Sequence, residues 1–186
     1  RRMNTNVVMV DQPIILTERF DLRPLRASDA GLVGLYAADP RVAKNTRSIP
    51  HPLPPGAVDA MIARTQASGR DEDIWALDGS RAGRPAVMGM VSLTRVDAGR
   101  SELSFWIAPA FWNAGLASEA IQALIAANPH RAVTLFAVVM QDNPASARVM
   151  TNCGFQYLGD AEAYSVARGA TVPTWTYTRK LDKEQN

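Results

Sequence analysis

Residues 105–120 read FWIAPAFWNAGLASEA, and this stretch decides the fold of the chain. It starts as an apolar strand, breaks at Pro109, crosses a short loop that ends at Gly115 and continues into a helix of Ala, Ile, Leu and Gln. The first N–H groups of a helix have no partner within the helix, and the helix dipole adds partial positive charge there. Ala114 and Ala117 are small enough to let an anion reach these groups. The stretch therefore predicts an anion-binding junction, although junctions of this kind also occur without a ligand. It lacks the signatures of a P-loop and of a dinucleotide fold.

The composition is that of a globular protein. Of the 186 residues, 47% are hydrophobic and 20% are charged, which predicts a single domain with a large core. A formal net charge of +2 disfavours a nucleic-acid binder, and the longest apolar runs are too short to span a membrane. The one cysteine excludes an internal disulfide and indicates a reducing compartment, so we expect a cytoplasmic protein. We expect a single domain at residues 14–181. It follows an N-terminal extension at 1–13, of which residues 1–2 are interpreted as a cloning remnant, and it precedes a tail at 182–186.

Hydrophobic periodicity and turn residues predict an α+β protein in the order β-α-α-β-β-β-α-β-α-β-β. Strands are predicted at 16–25, 74–77, 87–93, 101–107, 133–140, 155–158 and 174–178, and helices at 28–39, 56–68, 116–127 and 144–153. Asn143 fits the N-cap of the last helix, Pro144 its first position and Gly154 its left-handed cap. The proline-rich segment 41–55 predicts a loop, and the acidic run 71–73 a solvated turn.

Three segments resemble the GNAT superfamily of N-acetyltransferases, in the order and on the elements that the family uses. Residues 111–120 are similar to its acetyl-CoA pyrophosphate loop, Gln/Arg-x-x-Gly-x-Gly/Ala, with Trp112 at the Gln/Arg position, Gly115 at the first Gly and Ala117 at the second. Asn143-Pro144-Ala145-Ser146 with Cys153-Gly154-Phe155 resembles its second CoA-contacting helix. Residues 16–29 resemble the opening of the ribosomal-protein-alanine acetyltransferase branch.

The resemblance implies a mixed, mostly antiparallel sheet flanked by helices and split between the fourth and fifth predicted strands, with CoA lying in the split. It implies that the strand before the loop pairs its backbone with the pantetheine arm and polarises the thioester, and that the loop N–H groups bind the pyrophosphate. The cofactor-binding residues expected on this basis are Phe105, Trp106, Ile107, Trp112, Asn113, Ala114, Gly115, Leu116, Ala117, Ser118, Asn143 and Ser146.

Two departures from the family pattern bear on function. Asn113-Ala114 replaces a common Gly-Lys, so one cation near the phosphates is missing. Met150 stands where many members have the tyrosine that protonates the leaving thiolate.

Amide formation needs a neutral amine, a polarised thioester and a proton for the departing sulfur. Glu102, three residues before Phe105, is the first candidate for the base; the alternative is a carboxylate that pairs with Arg or water. Ser146 is the candidate for a CoA contact or a proton donor, and otherwise a first-turn serine. Cys153 is interpreted as a small buried hydrophobe. His51 and His130 lack partners at ligand spacing, so no metal is expected.

The sequence therefore predicts an acetyl-CoA-dependent N-acetyltransferase that acts on a primary amine by direct transfer. The branch resemblance favours a protein or peptide N-terminus, and a small amine stays open. A non-catalytic acyl-CoA-binding module is the alternative. Segments 41–55 and 160–173, both expected as loops, are predicted to form the acceptor pocket. We expect a monomer or a homodimer, with no nucleic-acid or membrane partner.

Overall fold

The computed structural model describes residues 12–181, so the extension and tail expected at the two ends lie almost entirely outside the described residues. The described strands are β1 Ile15–Leu16, β2 Asp21–Pro24, β3 Glu72–Asp78, β4 Gly89–Asp97, β5 Arg100–Ile107, β6 Thr134–Met140, β7 Gln156–Ser165 and β8 Ala170–Lys180. The described α-helices are α1 Ala30–Ala37, α2 Pro40–Ala43, α3 Ala57–Thr65, α4 Leu116–Ala127 and α5 Pro144–Asn152.

All eight strands lie in one sheet in the order β1-β2-β3-β4-β5-β6-β8-β7. Neighbours run antiparallel except β5 and β6, which are parallel. Strand β4 lies between β3 and β5 and is buried from Gly89 to Leu93, as its run of apolar residues on both faces requires of a central strand. The α+β fold class and the mostly antiparallel sheet are confirmed.

Helices cover both faces of the sheet and create two hydrophobic clusters. On one face, Leu116, Ile121 and Leu124 of α4 and Met150 of α5 pack in the larger cluster. On the other face the smaller cluster joins α1, α2 and α3 to the sheet, with members that include Val33, Val42, Ile62, Ile74 and Trp106. The period of about 3.6 residues in α4 explains its buried stripe.

The start of the sheet differs from the single strand predicted at 16–25. Thr17 closes a turn, because its backbone N–H and its hydroxyl both donate to the carbonyl of Phe20. The chain therefore folds back on itself as β1 and β2. Side-chain hydrogen bonding by Thr to nearby backbone is the competing local signal here.

Two segments predicted as loops are partly regular. The sequence predicts a helix that ends at Asp39, but the Asp39 side chain accepts a hydrogen bond from Arg41 N at 2.9 Å and Pro40 begins the next helix, α2. The prediction of a loop from residue 41 is therefore wrong up to Ala43. The prediction for 160–173 is wrong as well, because β7 and β8 form a long hairpin there and only 166–169 turn. Strand β7 is largely exposed on both sides, which removes the alternating apolar signal.

Candidate active site

The sheet divides between β5 and β6, the two elements predicted as the fourth and fifth strands. They pair over three positions only, from Arg100 opposite Thr134 to Glu102 opposite Phe136. Ala108 N donates to Met88 O at 2.9 Å, on the side of β5 that faces β4. Because successive residues of a strand point their N–H groups to alternate sides, the N–H groups of Phe105 and Ile107 point away from β4 and into the division between β5 and β6. A central strand thus carries free backbone donors where β6 has moved away.

A cavity of about 570 Å³ opens at this division and extends along the loop that follows β5. Every residue expected to bind the cofactor lines it: Phe105, Trp106, Ile107, Trp112, Asn113, Ala114, Gly115, Leu116, Ala117, Ser118, Asn143 and Ser146. The walls come from β5, the loop, the first turn of α4, one face of α5, and α2 with Asn45 after it. We call this space the loop cavity.

Left-handed residues set the shape of the loop at the start of α4. Asn113 has φ 60° and Gly115 has φ 74°, a conformation that glycine adopts without strain. Among the hydrogen bonds of residues 12–181, the backbone N–H groups from 113 to 118 have no protein acceptor. Arg19 braces the loop from behind, since its Nη1 donates to Ala114 O at 2.7 Å and its Nε pairs with Glu119 at 3.2 Å. The loop presents a row of donors suited to an anion.

Two arginines supply positive charge around this loop, and the sequence motifs did not predict that either would lie at the site. Arg41 of α2 lines the loop cavity, and its guanidinium carbon lies 5.7 Å from the ring centroid of Trp112. Trp112 itself is fixed to β5, because its indole nitrogen donates to Ile107 O at 2.7 Å. Arg148 of α5 lines the opposite wall. The two arginines bring positive charge to this cavity, and the guanidinium of Arg41 is also paired with Asp39 at 2.7 Å.

A second cavity, of about 670 Å³, lies beside the first on the face of the sheet that carries Glu102. Both segments predicted to form an acceptor pocket contribute to its wall, through residues 45–49 and through residues 162–164 and 166. The hydroxyls of Ser92, Ser104 and Thr94 line its floor. We call this space the carboxylate cavity.

Glu102 is half-buried in the carboxylate cavity, with a side chain 16% exposed. Burial raises the pKa of its carboxyl, and the negative charge of Glu72 adds to this rise while Arg47 opposes it. Arg47 Nη2 donates to Glu102 Oε1 in an ion pair. A carboxylate whose pKa lies above its ordinary value is better matched to accepting a proton near neutral pH.

The two cavities meet at five residues that line both: Asn45, Phe105, Trp106, Asn143 and Ser146. Asn143 caps α5 as predicted, and its Nδ2 donates to Ser146 Oγ at 2.8 Å. This bond leaves the hydroxyl hydrogen of Ser146 free to donate at the junction. The indole N–H of Trp106, buried at the same place, has no acceptor within the described part of the chain.

Met150 and Cys153 line neither cavity. Met150, at the position of the family tyrosine, is fully buried in the larger hydrophobic cluster. Cys153 is fully buried there too, and burial raises the pKa of its thiol. A reactive nucleophile at either place has no access to the site.

His130 has a structural environment that its loop position did not predict. Its Nε2 lies 2.7 Å from Asp73 Oδ2, and its Nδ1 lies 2.9 Å from Ser101 Oγ. The interpretation of Asp71-Glu72-Asp73 as a solvated turn is wrong from Glu72 onward, where β3 begins, and Asp73 is only 3% exposed. His130 and Arg70 supply the partners that its buried carboxylate needs. Within residues 12–181 no group of three or more His, Cys, Asp or Glu side chains is arranged to hold a metal ion. No helix in that range is both long and apolar enough to cross a bilayer.

Comparison with solved structures shows the same fold in acetyltransferases. A GNAT-family acetyltransferase from Bacillus anthracis is 19% identical, with a TM-score of 0.75 over 92% of this chain and 100% of that one. Ribosomal-protein-S5-alanine acetyltransferase from Vibrio fischeri is 17% identical, with a TM-score of 0.74 over 94% and 100% of the two chains. Spermidine N-acetyltransferase from Vibrio cholerae, solved with CoA and spermine, is 14% identical, with a TM-score of 0.75 over 89% and 97%.

Sequence comparison gives the family. No curated protein matches the chain. The family model described as the acetyltransferase (GNAT) domain matches residues 19–156, which is most of the chain and contains strands β2 to β6 with their division, the loop and α5. The chain belongs to the GNAT family of acetyltransferases.

Proposed function

We propose that this protein transfers an acetyl group from acetyl-CoA directly to a primary amine, with a protein or peptide N-terminus as the favoured acceptor. The observation that carries the proposal is the meeting of the two cavities. A cavity lined by free backbone donors opens into one that holds a half-buried carboxylate, and they join at Phe105, Trp106, Asn143 and Ser146. Donor and acceptor can then meet at one point without a covalent enzyme intermediate.

The loop cavity fits the chemistry of CoA. Its unpartnered N–H groups at 113–118 suit a pyrophosphate, and any other residue at Gly115 would strain the loop backbone, because φ there is 74°. Arg41 and Arg148 add charge for the phosphates. The free N–H of Ile107 suits an amide carbonyl of an extended arm. When bound, acetyl-CoA supplies an acetyl group already activated as a thioester.

The residues of the carboxylate cavity account for the proton transfers. Glu102 accepts a proton from the ammonium group of the acceptor, which frees the nitrogen lone pair that amide formation requires. The N–H of Phe105 donates to the oxygen on which negative charge develops. Ser146, held by Asn143, donates the proton that a departing sulfur needs. The one cysteine of the chain lines neither cavity, which favours direct transfer.

The favoured acceptor rests on two similarities. Residues 16–29 resemble the ribosomal-protein-alanine branch, and the Vibrio fischeri structure with the same fold is named for that activity. The Vibrio cholerae structure named for spermidine keeps a small polyamine as the second candidate. A non-catalytic acyl-CoA-binding module is the alternative class.

Thermal melting and thiol release test these candidates together. Acetyl-CoA at one hundred times its Kd should stabilise the protein by about 2.7 kcal/mol, which raises Tm by about 5–11 °C for a chain of this size. Gly115→Val should abolish the shift. Thiol should be released with a peptide that starts with alanine and not with the same peptide acetylated at its N-terminus; release with spermidine alone would select the small amine. A melting shift without thiol release from any amine would identify a binding module.

A further inference from the structure

Arg47 makes an unusual contact with the candidate base. Its backbone is fixed, because Val166 N donates to Arg47 O at 3.0 Å across from the β7–β8 hairpin. Its side chain is 44% exposed, and the bond from Nη2 to Glu102 Oε1 is the one hydrogen bond that this side chain makes among the described residues. The guanidinium is therefore held to Glu102 at a single point from an anchored backbone.

Arg23 shows what a permanent arginine pair looks like in this protein. Its buried guanidinium donates to Asp78 at 2.6 Å, to Asp29 at 2.9 and 2.8 Å, and to the carbonyls of Pro24 and Ala86. Every part of that fork is used. Arg47, by contrast, uses one nitrogen and stays half in solvent, so the contact to Glu102 is weak enough to exchange.

The charge of the carboxylate cavity favours a positively charged occupant. Three carboxylates line it, from Glu72, Glu102 and Glu162, against the guanidinium groups of Arg47 and Arg64. If the Arg47 side chain leaves, three carboxylates remain with one cation. An ammonium ion that takes its place restores the pairing of Glu102.

We propose that Arg47 holds the place of the acceptor in the free protein: its guanidinium pairs with Glu102 and is displaced by the ammonium group of the incoming amine. This makes Arg47 a specificity-determining residue that admits primary amines as cations. The proton transfer that follows displacement rests on the proposed function, which makes Glu102 the base. Once Arg47 has left, the ammonium nitrogen gives its proton to the Glu102 carboxylate, so the neutral amine and the protonated carboxyl form together.

Hexylamine is the probe that tests this, because its ammonium ion is its only polar group. Removal of the competing guanidinium in Arg47→Gln should lower the Kd of hexylammonium, measured by calorimetry with and without CoA, by about 2- to 5-fold, the range that an exposed ion pair allows. The KM of hexylamine in thiol release should fall by a similar factor at unchanged kcat. Arg47→Lys should stay near wild type, and Glu102→Gln should weaken binding.

Arg100→Gln is the matched control, because Arg100 is an exposed arginine paired with Asp97 at 2.7 Å and lines neither cavity. It should change neither Kd nor KM. Unchanged or weaker binding in Arg47→Gln, or no binding of hexylammonium to any variant, would overturn the inference. If Kd falls as stated but no amine releases thiol, the proposed function fails and the place-holding role of Arg47 stands.

Discussion

Replacement of Glu102 by glutamine removes the charge of this side chain and keeps its shape. The amide oxygen can still accept a hydrogen bond from Arg47, and the side chain keeps its volume against β4 and β6. The ion pair that is lost is partly exposed, so the free energy of unfolding should change by less than about 1 kcal/mol. For a chain of this length Tm should then move by no more than about 4 °C. Loss of activity in this variant is therefore not loss of the fold.

The expected loss of activity is large because a positioned base is removed. General-base catalysis contributes about 10²- to 10⁴-fold, or about 2.7–5.4 kcal/mol in the activation barrier. The base works when it is deprotonated, so kcat/KM of the wild type should rise as pH increases through the pKa of Glu102. Burial places that pKa above the ordinary value for glutamate, with Glu72 adding to the rise and Arg47 opposing it. Glu102→Gln should remove this acid limb.

The assay is thiol release at saturating acetyl-CoA, followed over the pH range in which melting shows a folded protein. Glu72→Gln is the informative comparison, because it removes a neighbouring negative charge from the same cavity and leaves the base in place. It should keep the acid limb and move it to lower pH, since a like charge raises the pKa of Glu102. If Glu102→Gln keeps both the acid limb and kcat within about threefold, Glu102 is not the base and the reasoning fails.

Three further changes test other parts of the molecule. Ser146→Ala should slow single-turnover transfer by about 10- to 10²-fold and keep the acetyl-CoA melting shift; weaker CoA binding at intact kcat would make Ser146 a cofactor contact instead. Arg23→Met leaves the carboxylates of Asp29 and Asp78 with the more distant guanidinium of Arg26, at 4.0 and 3.9 Å, and should cost about 3–5 kcal/mol in urea unfolding. A cost below about 1 kcal/mol would contradict the buried pairing. Burial acts to raise the pKa of Asp73, but hydrogen bonds from His130 and Arg70 outweigh it and leave the pKa lowered. The stability that Asp73 contributes is therefore present above its unfolded pKa of about 3.9 and is lost as pH falls through the folded value. In Asp73→Asn, the free energy of unfolding from urea titrations should fall less steeply as pH decreases in the acid range. An unchanged dependence of that free energy on pH would refute this.

Features encoded by neighbouring residues could be predicted from the sequence. Asn143 and Pro144 begin α5, and Gly154 ends it with φ 79°, because each choice depends on a few adjacent backbone groups. Gly115 likewise marks the start of α4. The division between β5 and β6 came from the resemblance to a family, since no local pattern in either strand says where its pairing stops.

Features that depend on contacts between distant residues could not be predicted. Arg47 meets Glu102 across 55 positions of sequence, and Arg41 reaches Trp112 only because α2 begins one residue after its capping aspartate. Met150 shows the limit of a motif: the family resemblance assigns it to the position of a tyrosine that protonates the thiolate, yet its side chain packs in the core. Side-chain direction is decided by packing, which a motif does not record.

The short pairing of β5 with β6 has a consequence for hydrogen exchange. Amides in a central strand usually exchange with solvent deuterium at rates near those of global unfolding. Phe105 and Ile107 belong to such a strand, but their N–H groups face the loop cavity rather than a neighbouring carbonyl, so they should exchange as fast as amides at the rim of a sheet. An extended molecule bound between the strands would slow them. The exchange rates of these two amides would then report whether the loop cavity is occupied, in an experiment that requires no turnover.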